Sequence, residues 1–376
     1  MKRKGRKKSR IRKIAMGILS SALVLLLTLV LVGIIFYKSG EISLKASANM
    51  SAPQIYVDAE EINKIKENLE YKDSVAWQDN WVIYDDKVYE YRENTLNFLL
   101  LGIDQGGSLS KETDLSDWSA GQADTIFLVT LNQEDKRLSV IGIPRNSMVD
   151  VEVYNSEEEC IETIYNQICL QYGYAGGGKL GLEKTKESVS DLMWGLPIHG
   201  ACAVSFDAVS VITDRLGGIE VVVPDDMTGY NSSYTKGSTQ KLVGKNVVNY
   251  LRYREYDALG SPTTRLERQK AFMKTAAERV MQEIKINPIF VRDIYESVIP
   301  YMNTDITADE AVYIASKSLE CTLDEQSFYQ LTGEDQAEFF IKENGELDFY
   351  DDYYLDEDEL KRIMIDVFYK QVQISD

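Results

Sequence analysis

Apolar positions along the chain repeat in two different ways. Residues 96–103, 125–131 and 138–143 are short, nearly continuous apolar runs, as expected of strands buried on both faces of a sheet. Glu134, Asp135 and Lys136 form a tight polar turn between the second run and the third. Upstream, WVIYDDKVYEYR alternates on both sides of Asp85-Asp86 and predicts a hairpin. Downstream the period becomes helical over residues 182–194 and 207–216, with strands at 201–205 and 219–223, and Gly217-Gly218 stops the second helix. Residues 244–251 begin another helix. SPTTRLERQKAFMKTAAERVMQEI then runs as a long amphipathic one, with Thr263 or Thr264 as its N-cap. Two helical stretches flank Pro300, Asn344-Gly345 marks a hairpin turn, and FYDDYYLDEDE reads as a solvated surface segment. Helices interleaved with strands predict an α/β sandwich, a central mixed sheet flanked by helices in one domain over residues 81–376.

Ahead of that domain the pattern is of another kind. Residues 14–37 form an uncharged apolar run of 24 residues, which as a helix is roughly 36 Å long and spans a hydrocarbon core of about 30 Å. Residues 1–13 carry nine Lys or Arg and no acid, so the positive-inside rule places the N-terminus in the cytoplasm and everything after Lys38 outside. Ala46-Ser47-Ala48 resembles a signal-peptide cleavage site, but the apolar run is too long and the site lies beyond Glu41 and Lys45. The expectation is therefore a basic cytoplasmic tail (1–13), a transmembrane helix (14–37), an extracytoplasmic stalk (38–80) and the domain. The whole chain has net charge −19. Without the tail, 32 basic residues face 60 acidic ones, a body that repels nucleic acid. Any anionic ligand must meet a local basic pocket.

Several familiar chemistries are poorly served. The single histidine, His199 in LPIHG, has no GxSxG partner and reads as a turn residue. GYAGGGKL comes close to a phosphate-binding loop, but Leu180 replaces the metal-binding hydroxyl and no strand pattern precedes it. Four cysteines without a CxxC are too few for a disulfide scaffold or a zinc site, which leaves a Cys160–Cys169 pair open. Arginines are more telling. Arg145 follows an apolar strand in IGIPRN, Arg252 and Arg254 are two apart in LRYREY, and Arg265, Arg268 and Gln269 lie in TRLERQ, with Arg265 and Gln269 on one helical face. Forked guanidinium groups suit a pyrophosphate. Asp104 and Asp124 stand at strand boundaries, and paired carboxylates beside phosphates hold Mg²⁺. Residue types alone admit either such a pocket or a set of separate surface ion pairs.

NFLLLGID, GQADTIFLVTLN, RLSVIGIPRN, GLPIHGACAVSFDAVSVITDRLGGIEVVVP and LRYREYDALGSPTTRLERQ, in this order, resemble the LytR–CpsA–Psr family of cell-wall glycopolymer transferases. The resemblance runs from about Leu96 to the tail. It implies an α/β sandwich with an apolar groove for a polyprenyl tail. Asp104 and Asp124 would act through Mg²⁺, and Arg145, Arg252, Arg254, Arg265 and Gln269 would contact the pyrophosphate. Arg268 belongs to the same block, and Asp124, Arg145 and Arg265 are the expected catalytic residues, with Asp124 alternatively accepting the proton of the attacking hydroxyl. The implied reaction carries a polyprenyl-pyrophosphate-linked glycopolymer (teichoic acid, capsule or another wall polysaccharide) to peptidoglycan and releases polyprenyl phosphate. Two residues depart from the family pattern: Asn146 stands where an aspartate usually follows the arginine, and Tyr165 where a lysine often stands. A lipid-pyrophosphate hydrolase on the same fold and a non-catalytic lipid- or glycan-binding or regulatory membrane protein are the alternatives.

Overall fold

The computed structural model describes residues 37–45, 52–55, 59–68, 77–109, 120–253, 260–287, 290–342 and 345–372. The basic tail, all of the expected membrane span but Tyr37, and Arg254 lie outside the described residues. Among those described, no helix is long and apolar enough to cross a membrane.

Two compact units divide the chain. In the smaller, residues 37–45 form a helix beside residues 308–316, where Ser43 Oγ donates to Glu310 Oε1 at 2.6 Å and the Tyr37 and Tyr313 rings lie 5.0 Å apart.

The larger unit carries the sheets. β1 (Trp81–Tyr84) and β2 (Lys87–Tyr91) form the expected hairpin. Asp85 and Asp86 both take positive φ, 50° and 56°, the backbone of a two-residue turn that matches strand twist. β3 (Thr95–Ile103), β4 (Ala123–Asn132) and β5 (Arg137–Ile143) are an antiparallel meander. β6 (Met148–Tyr154) and β7 (Cys160–Gln167) are a separate hairpin. β8 (Gly200–Ser205) pairs parallel to β3, and β9 (Ile219–Val222) pairs with β10 (Thr239–Leu242). β11 (Met302–Thr304) and β12 (Phe328–Gln330) complete a six-stranded sheet in the order β11-β8-β3-β4-β5-β12, with both parallel and antiparallel neighbours. β13 (Gly333–Ile341) and β14 (Leu347–Leu355) form a long hairpin, and β15 (Tyr369–Gln371) joins β2.

The apolar runs do bury both strand faces, but unequally. Leu99, Leu101, Ile103, Ile126, Leu128, Ile141, Ala201 and Ala203 are at most 1% exposed. They pack in one core with Ile168, Leu182, Val189, Met193 and the helix Glu357–Phe368. On the opposite face, Leu100, Gly102, Thr125, Val129, Cys202 and Val204 are only half-buried. There the helix Ser261–Ile286 packs Leu266 and Met273 against Phe127, Val140 and Val129.

That helix begins earlier than Thr263 or Thr264. Its cap is Gly260 at φ +78°, and Pro262 occupies the first turn, where no N–H is required. Thr264 Oγ1 bonds back to Gly260 O instead. The acidic run is not a plain solvated segment either: it contains most of β14, with Asp352 and Tyr353 only 4% and 3% exposed. Cys160 and Cys169 are both free thiols.

Candidate active site

An irregularity in the sheet brings two aspartates together. The β3–β4 register shifts between Gly102 and Ile103. Beyond the shift, the backbone N–H groups of Asp104 and Asp124 both donate to Gln122 O, each at 3.0 Å. Gln122 N–H in turn donates to Asp104 Oδ1 at 2.6 Å. Gly121 makes this possible. Its φ is +82°, and a Cβ there would stand 2.9 Å from Asp104 Oδ1. Such irregularities commonly re-aim side chains beside active sites.

Arginines from two other elements meet Asp124. Arg145, just past β5, has Nε 3.1 Å from Asp124 Oδ1. Its Nη2 donates to Gln122 Oε1 and, at 2.8 Å, to Cys169 Sγ. Arg265, at the start of the second turn of the long helix, donates from Nη1 to Asp124 Oδ2 at 3.1 Å. Each oxygen of Asp124 therefore holds one guanidinium. Asp124 and Arg265 are 8% and 3% exposed, and charges this deep persist only when paired. Burial works against the Arg145 charge, but the neighbouring Cys169, Asp124 and Asp104 outweigh it and raise its pKa. Burial also pushes the Cys169 thiol up, against the pull of Arg145.

A cavity of about 580 Å³ opens over this cluster, lined by Asp104, Asp124, Arg145, Arg252 and Arg265 together with Gln122, Tyr230, Asn249 and Tyr253. Arg252 ends the helix Lys245–Arg252, its guanidinium 5.3 Å from the Phe206 ring. Three of the expected arginines and both aspartates thus face one space.

Arg268 and Gln269 do not. Arg268 is turned away to Asp225, with Nε 3.1 Å from Oδ1, and Nη1 donates to the carbonyls of Tyr250 (3.2 Å) and Tyr253 (2.6 Å). Its guanidinium also lies 5.6 and 5.7 Å from the two tyrosine rings. Gln269 Nε2 donates to Leu251 O at 3.3 Å. One helical turn past Arg265, these side chains reach the carbonyls at the end of the helix Lys245–Arg252, so they fix the end that carries Arg252 instead of opening onto the cavity. His199 is half-buried, accepts the Asn97 N–H on Nδ1 at 3.0 Å, and is pushed down by desolvation to about 4.

A sequence model described as the LytR_cpsA_psr family matches residues 54–364. The chain belongs to that family. Bacillus subtilis (strain 168) has a relative named polyisoprenyl-teichoic acid–peptidoglycan teichoic acid transferase TagV, 25% identical over 210 residues, or 54% of this chain and 48% of that one. The match therefore spans about half the length of this relative. A TagU of the same descriptive name from Enterococcus faecalis (strain ATCC 700802 / V583) is 24% identical over 245 residues, 61% of this chain and 72% of that one. Among solved structures, B. subtilis TagV matches with TM-score 0.51 at 20% identity, over 73% of this chain and 96% of that one. TagT bound to LI-WTA matches with TM-score 0.51 at 18% identity, over 73% and 89%. These likenesses show that the family's fold is present.

Within this LytR_cpsA_psr site, the donor set is of the kind Mg²⁺ takes. Asp104 and Asp124 both present carboxylate oxygens to the cavity, and Mg²⁺ is commonly held by one or two carboxylates plus substrate phosphates and waters. Among the described residues no cluster of three or more His, Cys, Asp or Glu offers a fuller cage. The Asn146 departure has a structural reason. Its Nδ2 donates to Asp351 O at 2.7 Å, which a carboxylate could not do. Gln122 and Cys169, both against Arg145, were not singled out from the sequence as site residues. Gln122 was within reach, two positions before Asp124 in GQADT.

Proposed function

We propose that this protein transfers a polyprenyl-pyrophosphate-linked glycopolymer to peptidoglycan and releases polyprenyl phosphate. The observation that carries this reading is Asp124 holding Arg145 and Arg265 on its two oxygens, in a cavity shared with Arg252 and Asp104. Forked donors converging on one space match the oxygens of a pyrophosphate. The half-buried apolar face beneath the long helix is the matching place for the lipid chain. The names of the Bacillus and Enterococcus relatives point to the same donor and acceptor.

In the proposed reaction, a hydroxyl of the acceptor glycan attacks the phosphorus next to the glycopolymer. A new P–O bond forms, and the bond from that phosphorus to the bridging oxygen breaks. The electron pair leaves with polyprenyl phosphate, and the hydroxyl proton passes to a carboxylate or to water. Arg145 and Arg265, held by Asp124 before substrate arrives, neutralise charge growing on the phosphoryl oxygens without reorganising. Arg252 adds a third guanidinium at the cavity wall. Asp104 and Asp124 would hold Mg²⁺, which when bound supplies Lewis-acid neutralisation of the pyrophosphate. We place this domain outside the membrane, on an anchor formed by residues 14–37, because the basic tail precedes that apolar run.

The test uses the full chain in detergent with a long-chain polyprenyl pyrophosphate. Arg145→Ala and Arg252→Ala are expected each to weaken binding by about 1.5–3 kcal/mol, with Arg145→Lys a partial rescue. Thermal unfolding confirms that each variant folds. Unchanged binding in both alanine variants overturns the site. Free phosphorylated polymer as the main product, with wall fragments present, replaces transfer by hydrolysis.

A further inference from the structure

A second cavity, of about 710 Å³, shares Gln122 and Arg145 with the first and so continues it. Hairpins β6–β7 and β13–β14 make its walls. Across the β13–β14 ladder Glu338 pairs with Tyr350, and Gln336 with Asp352. Pairing and the two-residue strand period put Glu338, Asp348, Tyr350 and Asp352 on one side, and these four line the cavity. Tyr165 and Gln167 of β7 line it too. The walls are pinned to each other and to the arginine site. Gln167 Nε2 donates to Asp352 Oδ1 at 3.0 Å, and Asn146, the residue after Arg145, accepts the Tyr353 N–H at 3.0 Å.

Two features of the lining identify an occupant. Tyr165 and Tyr350 are 58% and 54% exposed, although each lines a cavity. The Tyr350 ring is held stacked on Phe340, 4.4 Å away with 19° between planes. Exposed aromatic rings among carboxylates and amides suit a saccharide, whose C–H faces pack on rings and whose hydroxyls take the polar groups. The lining carboxylates Glu338, Asp348, Asp351 and Asp352 outnumber the cations Lys342 and Arg145. That balance opposes a phosphate-rich polymer and admits an uncharged one.

We propose that this cavity is a saccharide subsite that holds the neutral glycan of the acceptor and presents its hydroxyl to the arginine cluster past Gln122 and Arg145. The assignment of the saccharide as acceptor rests on the transferase reading above; saccharide binding itself does not. Tyr165, standing where relatives of the resembled family often have lysine, then supplies a stacking surface in place of a phosphate contact.

The experiment titrates the full chain in detergent with chitotetraose, a neutral N-acetylglucosamine oligomer, and separately with poly(glycerol phosphate) and polyprenyl pyrophosphate. Chitotetraose is expected to bind, and Tyr165→Ala and Tyr350→Ala, both exposed positions, to weaken it about tenfold each. Polyprenyl pyrophosphate binding should stay within about twofold of the unmodified chain, and Ile286→Ala, an exposed residue at the far end of the long helix, should change neither. Absence of chitotetraose binding, or binding indifferent to both tyrosines, overturns the subsite. Poly(glycerol phosphate) binding that depends on the tyrosines overturns the neutral-acceptor assignment. If chitotetraose binds through the tyrosines while polyprenyl pyrophosphate does not bind, the subsite stands and the transferase reading fails.

Discussion

The two faces of the central sheet are built from the same strands yet serve different ends. On the closed face, leucines and isoleucines from β3, β4 and β5 meet helices and disappear from solvent, Leu101 and Leu128 to 0%. On the open face Phe98, Phe127 and Val140 are buried too, but Leu100, Gly102, Thr125, Cys202 and Val204 stay half-buried. Gly142 there lies under Phe127 and Leu266, so a Cβ would meet their side chains at 3.4–3.5 Å. A fold that needed only stability would seal both faces, because apolar area left in contact with water gives up burial free energy. The closed face is sealed throughout, whereas the open one keeps partly exposed positions next to a cluster of buried charges.

The largest expected effect divides the faces at neighbouring positions. Leu101→Ala should cost about 3–5 kcal/mol in denaturant unfolding, as fully packed leucines do. Leu100→Ala, half-buried on the other face, should cost about 1–2 kcal/mol. Equal losses would mean that the open face is packed after all.

This contrast also marks what the sequence discloses. The strands around residues 96–103, 125–131 and 138–143 are legible because both of their faces are apolar. Which face is sealed is not, since Leu100 and Leu101 are the same letter and differ only in what later elements bring to them. Arg265 and Arg268 pose the same difficulty. Three positions apart in TRLERQ, they face the cavity and Asp225 respectively, according to the rotation of a helix that starts at Gly260 and not at a threonine. Asp104, Asp124 and Arg145 were recoverable as candidates because each ends or begins a strong strand. The second cavity was hidden in an acidic run whose alternation, Asp348-Tyr350-Asp352 against Phe349-Asp351-Tyr353, becomes meaningful only once the hairpin partner is known.

A substitution at the same position sharpens the comparison from the other side. Leu100→Trp should occupy the open face instead of widening it. Binding of a long-chain polyprenyl pyrophosphate should fall about tenfold, while unfolding stability moves by less than about 1.5 kcal/mol. A short-chain prenyl pyrophosphate, which needs the arginines but little of the apolar face, should bind as before. Loss of both ligands together would place the defect at the charge cluster and remove the open face from lipid binding.

The smallest effect distinguishes the two regions by pH. His199 lies half-buried near the start of β3, at the strand end away from the cavity, and desolvation lowers its pKa from 6.5 to about 4. A depressed histidine favours the neutral form in the fold. Its contribution is complete above about pH 6.5 and is lost as pH falls toward 4. Asp351 lies at the cavity end, where Gly260 N–H donates to Oδ2 at 2.9 Å. Burial, then the charges of Asp335 and Asp352, raise it from 3.8 to about 6. A raised carboxylate favours the protonated form, so its contribution is complete below about pH 3.8 and is lost as pH rises through 6. The histidine end should therefore weaken in acid and the cavity end toward neutrality. Asp351→Asn keeps the shape and removes the charge. It should raise the melting temperature more at pH 8 than at pH 5, by the equivalent of at most about 1 kcal/mol, because the group is partly solvated and screened. His199→Gln should instead flatten the acid side of the profile and leave pH 8 unchanged relative to its own plateau. An Asp351→Asn shift of equal size at both pH values would show that its carboxylate is already ionised in the fold, and the crowding of charge between Asp335, Asp351 and Asp352 would then have to be relieved by solvent rather than by a proton.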